Sequence, residues 1–141
     1  MKQLIGAIAV LLACISGEAF AQCSTLSQVT GLPLQQLVAG STVCAIRGAE
    51  RWQEEHRGVA PGGQLWDYKR GPTNPVDPTK HVGAWRIAGD NVSYAYLGGS
   101  PIFTYTVHAN GGTYNFCTGG APIVTGATFI PGTGVGCGFP P

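Results

Sequence analysis

The stretch VGAWRIAGDNVSYAYLGGSPIFTYTVHANGGTYNFCT, residues 82–118, decides the fold. Its runs of β-branched and aromatic residues, Val82 to Ala88, Val92 to Leu97, Ile102 to His108 and Thr113 to Thr118, are separated by Gly89-Asp90-Asn91, Gly98-Gly99-Ser100-Pro101 and Asn110-Gly111-Gly112. Those separators carry the residues that tight hairpin connections demand, so the segment reads as a four-stranded antiparallel meander. Period-two alternation places Trp85, Ile87, Val92, Tyr94, Tyr96, Phe103, Tyr105, Val107, Tyr114 and Phe116 on one face of their strands. Arg86, Ser93, Thr104, Thr106, Thr113 and Asn115 fall on the other. One face is aromatic and the other hydroxylic.

The same texture extends outward. Thr42 to Arg47, Arg51 to Arg57 and Gln64 to Arg70 read as earlier strands, and Ile123 to Ile130 as a later one. About eight short strands in roughly 100 residues predict an all-β domain, a small antiparallel barrel or sandwich that hides its sheet edges. Ahead of them, Leu34 to Val38 suits a short helical turn with Pro33 at its start and Gly40 past its end. This N-terminal segment is expected to pack as a lid or plug. The connection Gly71 to Lys80 holds Pro72, Pro75 and Pro78, which suit neither helix nor ladder, so a stiff surface loop is expected. The tail from Pro131 to Pro141 is rich in Gly and Pro and reads as irregular.

Residues 1–21 combine Lys2, an apolar run from Leu4 to Ile15 and the small-residue pattern Ala19-Phe20-Ala21, which reads as a secretory signal cleaved before Gln22. The run falls short of the roughly 18 apolar residues a spanning helix needs, and no transmembrane segment is expected. An alternative uses Leu11-Leu12-Ala13-Cys14 as a lipoprotein box that leaves Cys14 lipid-anchored. With conventional cleavage, residues 22–141 form one secreted domain that retains Cys23, Cys44, Cys117 and Cys137. An even number of cysteines without Cys-x-x-Cys spacing in an exported chain favours disulfides over zinc. Pairing of Cys44 with Cys117 or Cys137 is preferred over a local Cys23 to Cys44 loop, because long closures constrain the unfolded chain more. Periplasm or extracellular space of a bacterium is the expected location.

Composition narrows the function classes. The 141 residues carry 8 Lys plus Arg against 7 Asp plus Glu, a net charge of +1 that offers no electrostatic footprint for nucleic acid. Nucleophile elbows, phosphate-binding glycine loops and His-Glu-x-x-His are absent, and no cofactor or metal is implied.

The densest ionisable run is Glu50-Arg51-Trp52-Gln53-Glu54-Glu55-His56-Arg57. On a strand Trp52, Glu54 and His56 share one face, and Glu54 with His56 forms a candidate binding or acid-base pair. The plainer expectation is an edge strand kept soluble by charge, with His56 exposed. Trp66, Tyr68 and Arg70, followed by Asp77 in the proline-rich loop, form a second candidate contact surface, since rigid loops with aromatic and Arg anchors bind efficiently. The aromatic face is the third: its rings either line a cavity for a small ligand or fill a core poor in Leu and Ile, and the filled core is the expectation. Gly83-Ala84-Trp85 resembles the Gly-x-Trp that opens a strand in lipocalin-type barrels. The likeness spans those three residues, and here they fall mid-chain rather than in the first strand, so no ligand is carried over from it.

These readings converge on an exported, disulfide-stabilised β domain acting as a non-catalytic binding or interaction module, with a small molecule or protein as its partner. The alternatives are a small hydrolase-like or carbohydrate-active enzyme using Glu54, His56 and Asp67, and an envelope-structural protein.

Overall fold

A computed structural model describes residues 21–70 and 80–139, with backbone alone at 21 and 68–70. The strands are β1 (Ser41–Arg47), β2 (Glu50–Val59), β3 (Gly62–Arg70), β4 (Lys80–Ala88), β5 (Asn91–Tyr96), β6 (Phe103–Asn110), β7 (Thr113–Thr118) and β8 (Ala121–Pro131). Each pairs antiparallel with the next, and β8 returns to β1, closing an up-and-down barrel. No edge is left among the described strands. Closure pairs Val43 with Phe129 and Cys44 with Thr128, and it rests on contacts between the first and last strands that no local pattern announces.

Alternation fixes what faces in. Ladder partners Val43 and Glu54, Glu54 and Asp67, Trp85 and Tyr94, Tyr94 and Phe103, Val107 and Phe116 form continuous inward rows around the barrel. The register between β3 and β4 shifts at Leu65/Trp66: Leu65 faces Gly83, Trp66 faces His81, and Val82 between them has no opposite number. A bulge of this kind bends its strand and re-aims a side chain; here Val82 lines the barrel interior next to inward-facing Trp85. Gly83 is obligatory for a steric reason, because a Cβ there would collide with the Ala95 carbonyl oxygen of β5.

One end of the barrel is plugged by α1 (Gly31–Val38), whose Leu34 and Val38 are fully buried. The helix begins earlier than the proline predicted, with Pro33 inside its first turn, where a missing N–H costs nothing. The Gly31 amide instead donates to Asp90 Oδ1 at 2.9 Å, and Ser41 Oγ donates to the Val38 carbonyl at 2.8 Å, tying the plug to the β4–β5 turn and to β1. Leu34 and Val38 belong to one buried cluster with Ile87, Val92, Val107 and Ala127.

Both flanking segments fold back on the outside of the barrel. The N-terminal strap lies along β6: Val29 N–H donates to the Val107 carbonyl and Ala109 N–H to that of Ser27, each at 2.8 Å, while Cys23 is disulfide-bonded to Cys117. His108, on the outer face, is buried beneath it and contacts Ser27 Oγ and the Ser24 carbonyl. The C-terminal tail crosses β1 and β2: Cys137 is bonded to Cys44, Cys137 N–H donates to Gln53 Oε1, and Gly134 N–H donates to Glu55 Oε1, both at 2.9 Å. Glu55 therefore sits buried on an outward face, paired with Arg57 at 2.7 Å. Both disulfides are long closures, as the entropy argument preferred.

This architecture overturns the edge-strand reading of residues 51–57. β2 is an interior strand between β1 and β3, His56 is fully buried, and Glu54 faces the interior. Trp52 tips the face it shares with Glu54 and His56 toward the apolar side, but both faces of β2 carry charges, so the sequence marked the inner one only weakly.

Candidate functional site

The half of the barrel away from α1 is not filled. A cavity of about 380 Å³ opens at the end where β1, β3 and β5 finish and β2, β4 and β6 begin. That volume lies within the range of small-molecule sites, about 300–1,000 Å³. Six aromatic residues line it: Trp52 from β2, Tyr94 and Tyr96 from β5, Phe103 and Tyr105 from β6, and Phe116 from β7. Tyr94 and Tyr96 stack at 6.5 Å, while three pairs meet edge-on or tilted, Tyr94 and Tyr105 with centroids 6.0 Å apart, Tyr96 and Phe103 6.0 Å and Tyr105 and Phe116 5.8 Å. Such arrangements set ring edges against ring faces, the favourable geometry for two quadrupoles. The expected filled core thus divides: Trp85 is buried beside His56, whereas Phe103 is 40% exposed at the mouth. Leu97 and Ile102, in the β5–β6 connection, are also exposed.

Into this apolar basket project the carboxylates of Glu54 and Asp67, ladder partners on β2 and β3. Tyr96 Oη donates to Glu54 Oε1 at 2.8 Å, which fixes the orientation of that carboxylate. Arg47, at the end of β1, borders the cavity from an exposed position on its rim. At the inner end, His56 Nε2 and Tyr94 Oη share a hydrogen bond of 3.0 Å. Burial lowers the His56 imidazole to about 4, so it is neutral near pH 7. The Tyr94, Tyr96 and Tyr105 hydroxyls are all pushed up, first by burial and then by the negative charge of Glu54. They serve as hydrogen-bonding groups rather than as phenolate bases.

Of the residues singled out in the sequence, Glu54 and Asp67 are brought together in the cavity; His56 lies behind Tyr94 and does not line it. Trp66 is on the outer face of β3, with the Arg57 guanidinium 4.0 Å from its ring centroid and Nε1–H donating to Gln64 Oε1 at 3.1 Å. Asp77 and the side chains of Tyr68 and Arg70 lie outside the described residues. Arg47 and Trp52 line the cavity without having been singled out as site residues, and Phe116 lines it as part of the aromatic face. The signal for the first two was present, because Arg47 keeps the parity of Val43 and Ala45, and Trp52 that of Glu54. Among the described residues no cluster of three or more His, Cys, Asp or Glu has metal-binding geometry, and no helix is long and apolar enough to cross a membrane.

Comparison with protein families, with curated proteins and with solved structures finds no match.

Proposed function

We propose that this protein is a non-catalytic binding module that takes a small molecule into the open half of its barrel. The observation that carries this reading is the unfilled, ring-lined cavity of about 380 Å³ in a barrel whose other end is sealed by α1. A protein of this size that needed only a core would gain stability by filling the space, since each missing contact is forfeited dispersion energy. Export to a bacterial periplasm or beyond the cell is part of the proposal. It is supported by the two disulfides, which persist in oxidising compartments, and by the signal-like residues 1–21. The hydrolase-like alternative retains Glu54 and Asp67 but loses its third member, because His56 is sealed from the cavity and stays neutral well below pH 7. An assembly role for the glycine-rich tail is weakened by its being clamped to β1 and β2.

The test is titration with the apolar fluorophore N-phenylnaphthylamine. Saturable enhancement at one probe per chain is expected, and it should vanish in Ala45→Trp, which places an indole in the cavity. Enhancement that never saturates, or that survives the filled cavity unchanged, refutes the reading. Intact mass tests export: a chain beginning at Gln22 without free thiols is expected, whereas a diacylglycerol on Cys14 would replace it with membrane anchoring.

A further inference from the structure

We infer that the cavity ligand is an organic cation, a small amine or ammonium with an apolar body. The inference rests on the reading of the cavity as a ligand site and adds its chemical class. Two features coincide there. Ring faces carry the negative part of the aromatic quadrupole and attract cations, and Trp52, Tyr96 and Tyr105 are among the rings that line the space. Glu54 and Asp67 add carboxylates from adjacent strands, and Tyr96 holds Glu54 in place. Among lining residues with described side chains the one cation is Arg47, at the water-exposed rim; its charge opposes that of Glu54 at the Tyr105 hydroxyl, but it is one cation against two carboxylates. The charge of Glu54 reaches across the space, since it helps push up the hydroxyls of Tyr94, Tyr96 and Tyr105. An anionic ligand would have to leave water for a site that opposes it. A purely apolar one would take water from the two carboxylates and offer them neither charge nor hydrogen bond of its own, which is costly. An ammonium satisfies both walls at once, and its apolar body can extend past Phe103 toward the exposed Leu97 and Ile102 at the mouth.

Isothermal titration calorimetry of the disulfide-intact protein with phenethylammonium, phenethyl alcohol and phenylacetate varies charge on nearly constant shape. The expected result is that phenethylammonium binds at least tenfold tighter than the alcohol, with phenylacetate weakest. Glu54→Gln should erase the advantage of the ammonium over the alcohol; Asp67→Asn serves the same purpose should the first variant fail to fold, and the wild-type ranking stands without either. Equal binding of the ammonium and the alcohol, or tightest binding of phenylacetate, overturns the cation assignment. So does binding of N-phenylnaphthylamine with no detectable phenethylammonium binding, and in these cases the cavity remains a ligand site. If neither N-phenylnaphthylamine nor any of the three binds, both readings fall together.

Discussion

Glu54 and His56 stand two residues apart on the same face of β2, and the barrel gives them opposite environments. Glu54 borders an open cavity and accepts from Tyr96, whereas His56 is enclosed by Tyr94, Trp85 and Phe129. Enclosure has a thermodynamic consequence through proton linkage. The unfolded chain binds a proton at His56 near the ordinary value of about 6.5, but the folded chain does so only at about 4. Between those values the unfolded state holds the extra proton, so stability falls as pH falls through this window and the loss levels off below it. Above about 6.5 the residue contributes no slope. The whole effect is about 3 kcal/mol, set by the gap between the two values. Urea unfolding of the wild type and of His56→Gln at pH 7, 5.5 and 4 measures it: the variant should lack this part of the acid loss, and parallel curves would mean that His56 takes up its proton as readily in the folded barrel as in the unfolded chain. A second contrast separates core from cavity. Trp85 is 1% exposed and Phe103 40%, so Trp85→Ala should cost about 3–5 kcal/mol, and Phe103→Ala about 1 kcal/mol. Thermal unfolding of both variants checks this, and equal losses would mean that Phe103 packs as tightly as Trp85.

Within β4 a single element shows how a three-residue motif acquires meaning from its neighbours. Gly83 is required because β5 approaches so closely that the Ala95 carbonyl occupies the place of a side chain, and Trp85 is required because its ring fills the core beside His56 while Nε1–H donates to the Arg57 carbonyl at 3.1 Å. Gly83→Ala must therefore push β4 from β5 or undo the bulge at Val82, at a cost of about 1–3 kcal/mol as for other overpacking changes. Because Val82 lines the cavity, the same variant should weaken binding of N-phenylnaphthylamine, and unchanged affinity with unchanged melting temperature would show that the strands have slack. Strands such as β5 and β7 were legible in the sequence to within a residue, since hairpin turns and alternation are local signals. β2 was legible as a strand, but its orientation was only weakly marked, because Trp52 is the one apolar side chain in the rows Trp52-Glu54-His56 and Arg51-Gln53-Glu55 and both rows carry charges. The bulge at Val82 was not legible either, as a register shift is decided by the partner strand.

At the level of the whole molecule, what sequence reasoning could not reach is non-local: the closure of β8 on β1, the burial of Glu55 under the tail and the emptiness of half the interior. The disulfides hold these distant parts together. They close spans of 94 and 93 residues, so in the chain-entropy picture each stabilises the fold to a similar degree, about 2–5 kcal/mol. The spans overlap, however, and once one bond is in place the other closes a shorter effective loop made of the flanking spans 23–44 and 117–137. Since closure entropy grows only with the logarithm of loop length, the first bond removed should cost roughly 0.7 kcal/mol less than the second. Native contacts add to this, because the tail leaves Glu55 and Gln53 without their backbone donors when Cys137 is released, and the strap uncovers His108 when Cys23 is released. We therefore expect Cys44→Ser with Cys137→Ser, and Cys23→Ser with Cys117→Ser, each to yield a folded barrel at 25 °C with a lowered melting temperature. Removing all four cysteines should take away most of a total stability that for such domains is about 5–15 kcal/mol. Circular dichroism melts of the three variants, with the wild type under reductant as a further arm, decide the matter: a four-Ser protein melting within a few degrees of wild type would show that the β1–β8 ladder and the α1 plug hold the barrel closed without either bond.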